Sequence, residues 1–120
     1  MEFNFNNEGP IYIQLVRELK ISIVTGKYPL GSRLPSVRDL ALTAKVNPNT
    51  MQKALIELEK DKLIYTERTN GKYVTNDEKV INKIKESLAK DIVNKYINSM
   101  NDIGISLDEA IIYLQERGGE

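Results

Sequence analysis

Two helix-start signals stand so close together in the middle of the chain that the helix between them has room for only about two turns. The first is Ser36 with Asp39 three residues on, an acidic variant of the capping box. The second is Asn47, able to cap, followed by Pro48 at a first helical position, where the missing N–H costs nothing. Val37, Leu40, Ala41 and Ala44 give the first of these helices an apolar face, and Met51, Ala54, Leu55 and Leu58 give one to the second. Asn49, Thr50, Gln52, Lys53 and Ile56 are left to face outward. Two apolar-striped helices joined by so short a turn predict a helix-turn-helix.

The flanking segments complete the unit. Residues 10–25 begin with Pro10 and stop before Gly26, and Tyr12, Leu15, Val16, Leu19 and Ile23 recur at spacings of three and four. This predicts a preceding helix, with residues 27–35 as a turn-rich connection. After Lys62 the pattern turns β-branched and aromatic in residues 63–67 and 72–75, with Asn70-Gly71 between them, a hairpin signal because both turn positions can need positive φ. Three helices and a hairpin make a winged helix-turn-helix over residues 1–75.

Helical periodicity returns from Asp77. Ile81, Ile84, Leu88, Ile92, Tyr96 and Met100 form a long stripe, Gly104 breaks it, and Ser106 with Glu109 caps a last helix carrying Leu107, Ala110, Ile111 and Leu114. Two helices in residues 76–120 cannot enclose a large core unaided. A second copy of the chain is the simplest cover, so Ile81, Ile84, Leu88, Ile92, Tyr96, Met100, Ile111 and Leu114 are read as dimerisation residues. The predicted class is therefore mainly α with a β-hairpin, a winged helix-turn-helix followed by a two-helix dimerisation tail.

Composition narrows the chemistry. With neither histidine nor cysteine, the commonest general base, the commonest metal ligand and any thiol nucleophile are missing. No metal or cofactor is expected. Asp39, Glu57 and Glu59 are the carboxylates one could nominate for catalysis, but nothing in their spacing makes them converge, and the expectation is no enzyme. There is neither a run of about 18 apolar residues nor a signal-like start, so the expected setting is cytoplasmic, without membrane contact. The zero net charge conceals a division: residues 1–75 carry 11 basic against 8 acidic side chains, and residues 76–120 carry 6 against 9. A mildly basic first part suits a polyanion partner.

These residues resemble the GntR family of bacterial transcription regulators. The resemblance runs through Pro10 to Leu15, Gly31 to Ala41 with its Leu-Pro-Ser-x-Arg-x-Leu-Ala string, Val46 to Leu55, and the wing glycine Gly71. The short tail and the Val-Asn-Pro-Asn-Thr start of the third helix look like the YtrA-type subfamily, which implies small homodimeric repressors, often encoded beside ABC transporters. Two positions depart from the family pattern. Lys45 stands where glycine usually precedes the valine that opens the third helix, and the wing lacks the common Gly-x-Gly.

The resemblance implies a double-stranded DNA operator as partner, read by a third helix in the major groove. Asn47, Pro48, Asn49, Thr50, Gln52 and Lys53 form the candidate reading surface, since amides can pair with adenine and lysine can reach guanine. Arg33, Ser36 and Arg38, at the turn into the second helix, are candidates for phosphate. Arg68, Thr69, Asn70, Gly71 and Lys72 are the wing's candidates for backbone or minor groove. A small-molecule effector at a subunit junction stays open. The alternative is a winged-helix module for protein partners, which the zero net charge favours.

Overall fold

The computed structural model describes residues 3, 5, 9–68 and 70–118. Its elements follow in the order α1 (Ile11–Val24), α2 (Val37–Ala44), α3 (Pro48–Lys60), β1 (Ile64–Glu67), β2 (Gly71–Val74), α4 (Glu78–Asp102) and α5 (Leu107–Gly118). This is a mainly helical winged helix-turn-helix with a two-stranded antiparallel hairpin and two C-terminal helices.

Caps fix the helix starts. The Ser36 hydroxyl accepts the Asp39 N–H at 3.1 Å, and the Asn47 side-chain oxygen Oδ1 accepts the Asn49 N–H at 2.8 Å. Each satisfies a backbone donor that has no partner inside its own helix. At the other ends the chain is turned by left-handed residues. Lys45 has φ 57 and Lys62 has φ 62, and the N–H groups that follow them, on Val46 and Leu63, return to the carbonyls of Ala41 and Leu58. Glycine is the usual choice for this geometry because it lacks the clashing Cβ. The departure noted at Lys45 is thus a lysine in a left-handed cap; nothing in the local pattern had marked Lys62.

The core of the first unit is built where the apolar stripes meet. Leu15, Leu19 and Ile23 of α1, Leu40, Ala41 and Ala44 of α2, and Met51, Ala54, Leu55 and Leu58 of α3 are all buried. Leu63, Ile64 and Val74 close it from the hairpin. Burying a side chain of this size contributes about 1.5–3 kcal/mol, so the three helices are held by this contact more than by intrinsic propensity. An ion pair at 3.3 Å between Lys20 of α1 and Asp61 ties the far end of α3.

The hairpin differs from its expected form in two respects. Glu67 pairs with Gly71, so the connection is residues 68–70 and Gly71, at φ 97, opens β2 instead of completing a two-residue Asn-Gly turn. An Asn70 N–H to Glu67 carbonyl bond at 3.3 Å closes the turn. In addition, the connection before α2 is not merely turns. Val74 donates to the Ser32 carbonyl at 2.9 Å and Leu34 donates to the Lys72 carbonyl at 2.8 Å, so this segment runs along the free edge of β2. Covering that edge removes unpaired backbone groups that a bare two-stranded wing would expose.

The chain divides into two compact units, Met1–Lys85 and Glu86–Glu120. Thr75 marks the end of the wing, but the first unit continues into α4, where Ile84 is buried and Ile81 lines a shallow cleft with Ile23, Val24 and Leu30. The Asp77 carboxylate caps α4 by accepting the Lys79 N–H at 2.9 Å. In the second unit Gly104, at φ 82, ends α4. The Ser106 hydroxyl accepts the Glu109 N–H at 3.3 Å to start α5, and the Tyr96 hydroxyl donates to the Ala110 carbonyl at 2.8 Å. No helix among the described residues is long and apolar enough to cross a membrane.

Candidate nucleic-acid interface

The polar side of α3 begins with its cap. The Asn47 side-chain oxygen Oδ1 accepts the Asn49 N–H, Pro48 follows in helical conformation and the first turn is fixed in register. Met51, Ala54, Leu55 and Leu58 are fully buried, and this orients the opposite side. Asn49, Gln52 and Lys53 are exposed and Thr50 half-buried. A rigid core beneath three exposed side chains with donors and acceptors is the arrangement that base-edge readout requires.

Two exposed arginines come from the segment that leads into α2 and from α2 itself. Arg38 is exposed in the first turn of α2, beside the Ser36 cap. Arg33 is exposed and lies opposite Tyr73 as an isolated antiparallel bridge. Its guanidinium runs along Gly71, where an added Cβ would meet Arg33 Nε at 3.3 Å. Arg33 therefore belongs spatially to the wing, although it precedes α2 in the chain. Arg68 and Asn70 are exposed near the tip, and Thr69 lies outside the described residues.

Lys72 sits differently from the other wing candidates. Its ammonium forms an ion pair with Glu59 of α3 and donates to the Thr66 hydroxyl at 3.0 Å, and only 16% of its side chain is exposed. Thr66 also donates to Glu59 Oε1, at 2.9 Å. Partial burial pushes the Glu59 carboxyl up, but the hydrogen bonds from Lys72 and Thr66 and the lysine charge outweigh it and hold the group below the usual range. The sequence reading missed this contact. Lys72 lies two residues before buried Val74 and so shares its face of the strand, a signal that alternation did carry.

Of the residues read as dimerisation positions, Ile84 is buried within the first unit and Tyr96 has its hydroxyl bound inside the second. Ile81, Leu88 and Met100 are half-buried, while Ile92, Ile111 and Leu114 are exposed, as are Val93, Ile112 and Tyr113. Near the start of α1, Gln14 donates its amide to the Gly9 carbonyl at 2.9 Å. No group of three or more metal-ligating side chains occurs among the described residues.

Residues 11–74 match the family model for bacterial regulatory proteins, gntR family. The HTH-type transcriptional repressor YtrA of Bacillus subtilis is 32% identical over 89% of this chain and 83% of its own length. A GntR family transcriptional regulator from Listeria monocytogenes has a similar structure, with a TM-score of 0.82 and 39% identity over 93% of this chain and 98% of that one. AraR(DBD), solved in complex with operator ORE1, superimposes with a TM-score of 0.53 and 25% identity, over 62% of this chain and 94% of that one.

Proposed function

The chain belongs to the gntR family of bacterial regulatory proteins, with YtrA-type regulators among its relatives, and on that premise we propose that this non-enzymatic transcription regulator is a homodimeric repressor of a two-fold symmetric operator. Helix α3 enters the major groove, with Asn49, Gln52 and Lys53 toward base edges and Thr50 alongside. Ser36 and Asn47 hold the helix starts, and Pro48 sets the first turn that approaches the DNA. Arg38 and Arg33 take phosphates. The wing, through Arg68, Thr69, Asn70 and Gly71, follows the adjacent backbone or minor groove.

The observation that carries this reading is the division of α3 into a fully buried apolar side and an exposed side of amide and ammonium groups, held by a side-chain cap at its start. The operator complex of AraR(DBD), a protein of related structure, supports DNA as the partner. The exposed apolar residues of the second unit, Ile92, Ile111 and Leu114 foremost, support a paired subunit, since C2 association is the commonest way to cover such a surface. Pairing would present two recognition helices to two half-sites. Control of an ABC transporter operon is the finer expectation from YtrA-type regulators.

Selection of bound sequences from a random duplex pool tests the proposal. Enrichment of inverted half-sites separated by about 10 base pairs, or a multiple, is the expected result. Recovery of no sequence above the starting pool would overturn it.

A further inference from the structure

We propose that Glu59 is a positioning residue for DNA recognition. It draws Lys72 of the wing onto α3, so that this lysine acts as a strut setting the wing against the recognition helix and does not serve as a phosphate ligand. The inference rests on the DNA-binding reading above and adds a division of labour within it.

The geometry is a closed triangle over three elements. Glu59 comes from α3, Thr66 from β1 and Lys72 from β2, and each polar group touches both others. Thr66 and Lys72 are also cross-strand partners, so the carboxylate grips both strands at one rung. Lys72 is one of the paired lysines withdrawn from solvent: its side chain is 16% exposed and that of Lys20 25%, against 66% for Lys60 and 71% for Lys90. Exposed pairs of that kind contribute little because water and salt compete for them. A pair with its lysine largely covered, and with both donors sharing one carboxylate oxygen, keeps its geometry better.

The wing needs such a fastening. Two four-residue strands are marginal by themselves. Ile64 and Val74 anchor the base in the core, but Glu67 at the far end is exposed. The triangle lies between, where the hairpin leaves the core. With the Lys72 charge matched by Glu59, the cations the wing offers a polyanion are Arg68 and, from the neighbouring segment, Arg33.

The experiment measures binding of the full-length protein to its selected operator and to random duplex over a range of salt, for wild type, Lys72→Met, Lys72→Arg, Glu59→Gln and the Glu59→Gln/Lys72→Met pair. Lys72→Met is expected to leave the slope of log K on log salt unchanged while lowering the operator-to-random ratio about fivefold, the size of a typical coupling between touching groups. Glu59→Gln is expected to free the lysine, steepening the slope by about 0.9 and strengthening random-duplex binding. The double substitution should return the slope to the wild-type value, and Lys72→Arg should preserve both slope and ratio. Loss of fold alone moves the fraction of active protein and not the slope.

A slope flattened by about 0.9 in Lys72→Met would make the lysine a direct phosphate ligand and overturn the proposal. Unchanged ratio and slope in both Lys72→Met and Glu59→Gln would overturn it equally. A wild-type protein with no operator preference would instead defeat the DNA-binding reading itself, and is seen before any variant is compared.

Discussion

Arg33 and Tyr73 face each other across an antiparallel bridge, which attaches the segment before α2 to the free edge of the wing. This brings an arginine from one end of the helix-turn-helix to the strand at the other end, with its guanidinium along Gly71. Tyr73 in turn stacks on Tyr65 across the hairpin, with ring centroids 5.8 Å apart. Segment, strand and turn therefore behave as one structural unit.

Gly71→Ala is expected to disturb that unit. Its φ of 97 is a conformation that L side chains rarely adopt, and the new methyl would press on Arg33. A loss of about 1–2 kcal/mol is expected in urea unfolding, the cost of such backbone strain. An unchanged midpoint would show that the turn relaxes freely.

Lys45→Gly should have the opposite sign. The left-handed cap at φ 57 burdens lysine with a Cβ clash, partly offset because glycine is freer in the unfolded chain. A net gain of about 0.5–1 kcal/mol is expected, read as a higher unfolding midpoint at unchanged m-value.

Arg38→Ala and Gln52→Ala are expected to separate two kinds of contact. The first should weaken binding to all sequences and flatten the salt slope by about 0.9. Gln52→Ala, like Asn49→Ala, should lose mainly the selected operator, by about 1–3 kcal/mol where the contact is bidentate. Titration of each variant against operator and random duplex at several salt concentrations checks the distinction.

The Glu59 carboxyl predicts an acid-side dependence of stability. Its folded pKa is depressed, so the unfolded chain binds this proton more readily, and the contribution is present above the unfolded pKa and lost as pH falls through the folded one. Wild type should therefore exceed Glu59→Gln in stability near neutral pH, with the gap narrowing below the ordinary carboxylate range. Urea midpoints of both proteins across pH give the comparison; a gap independent of pH would contradict the assignment.

Ile111→Lys combined with Leu114→Lys tests the paired subunit. Both residues are exposed and apolar in the second unit. Sedimentation is expected to shift from dimer to monomer, with operator affinity falling while the first unit keeps its melting behaviour.

What could be read from the chain alone was whatever acts over a turn of helix or a strand pair. The Ser36 and Asn47 caps, the buried stripe from Met51 to Leu58 and the break at Gly104 each depend on groups a few residues apart, so their spacing carried the information. The winged helix-turn-helix and the polar side of α3 followed from them. Tertiary structure alone decided the partners that distance in sequence conceals: Arg33 against Tyr73, Lys72 turned to Glu59, and Ile84 taken into the first unit. A charged or apolar side chain has the same sequence signature whether it faces solvent, a neighbouring strand or a core. Which of these it meets depends on how separately formed elements pack, and that packing fixed the free energy of each contact.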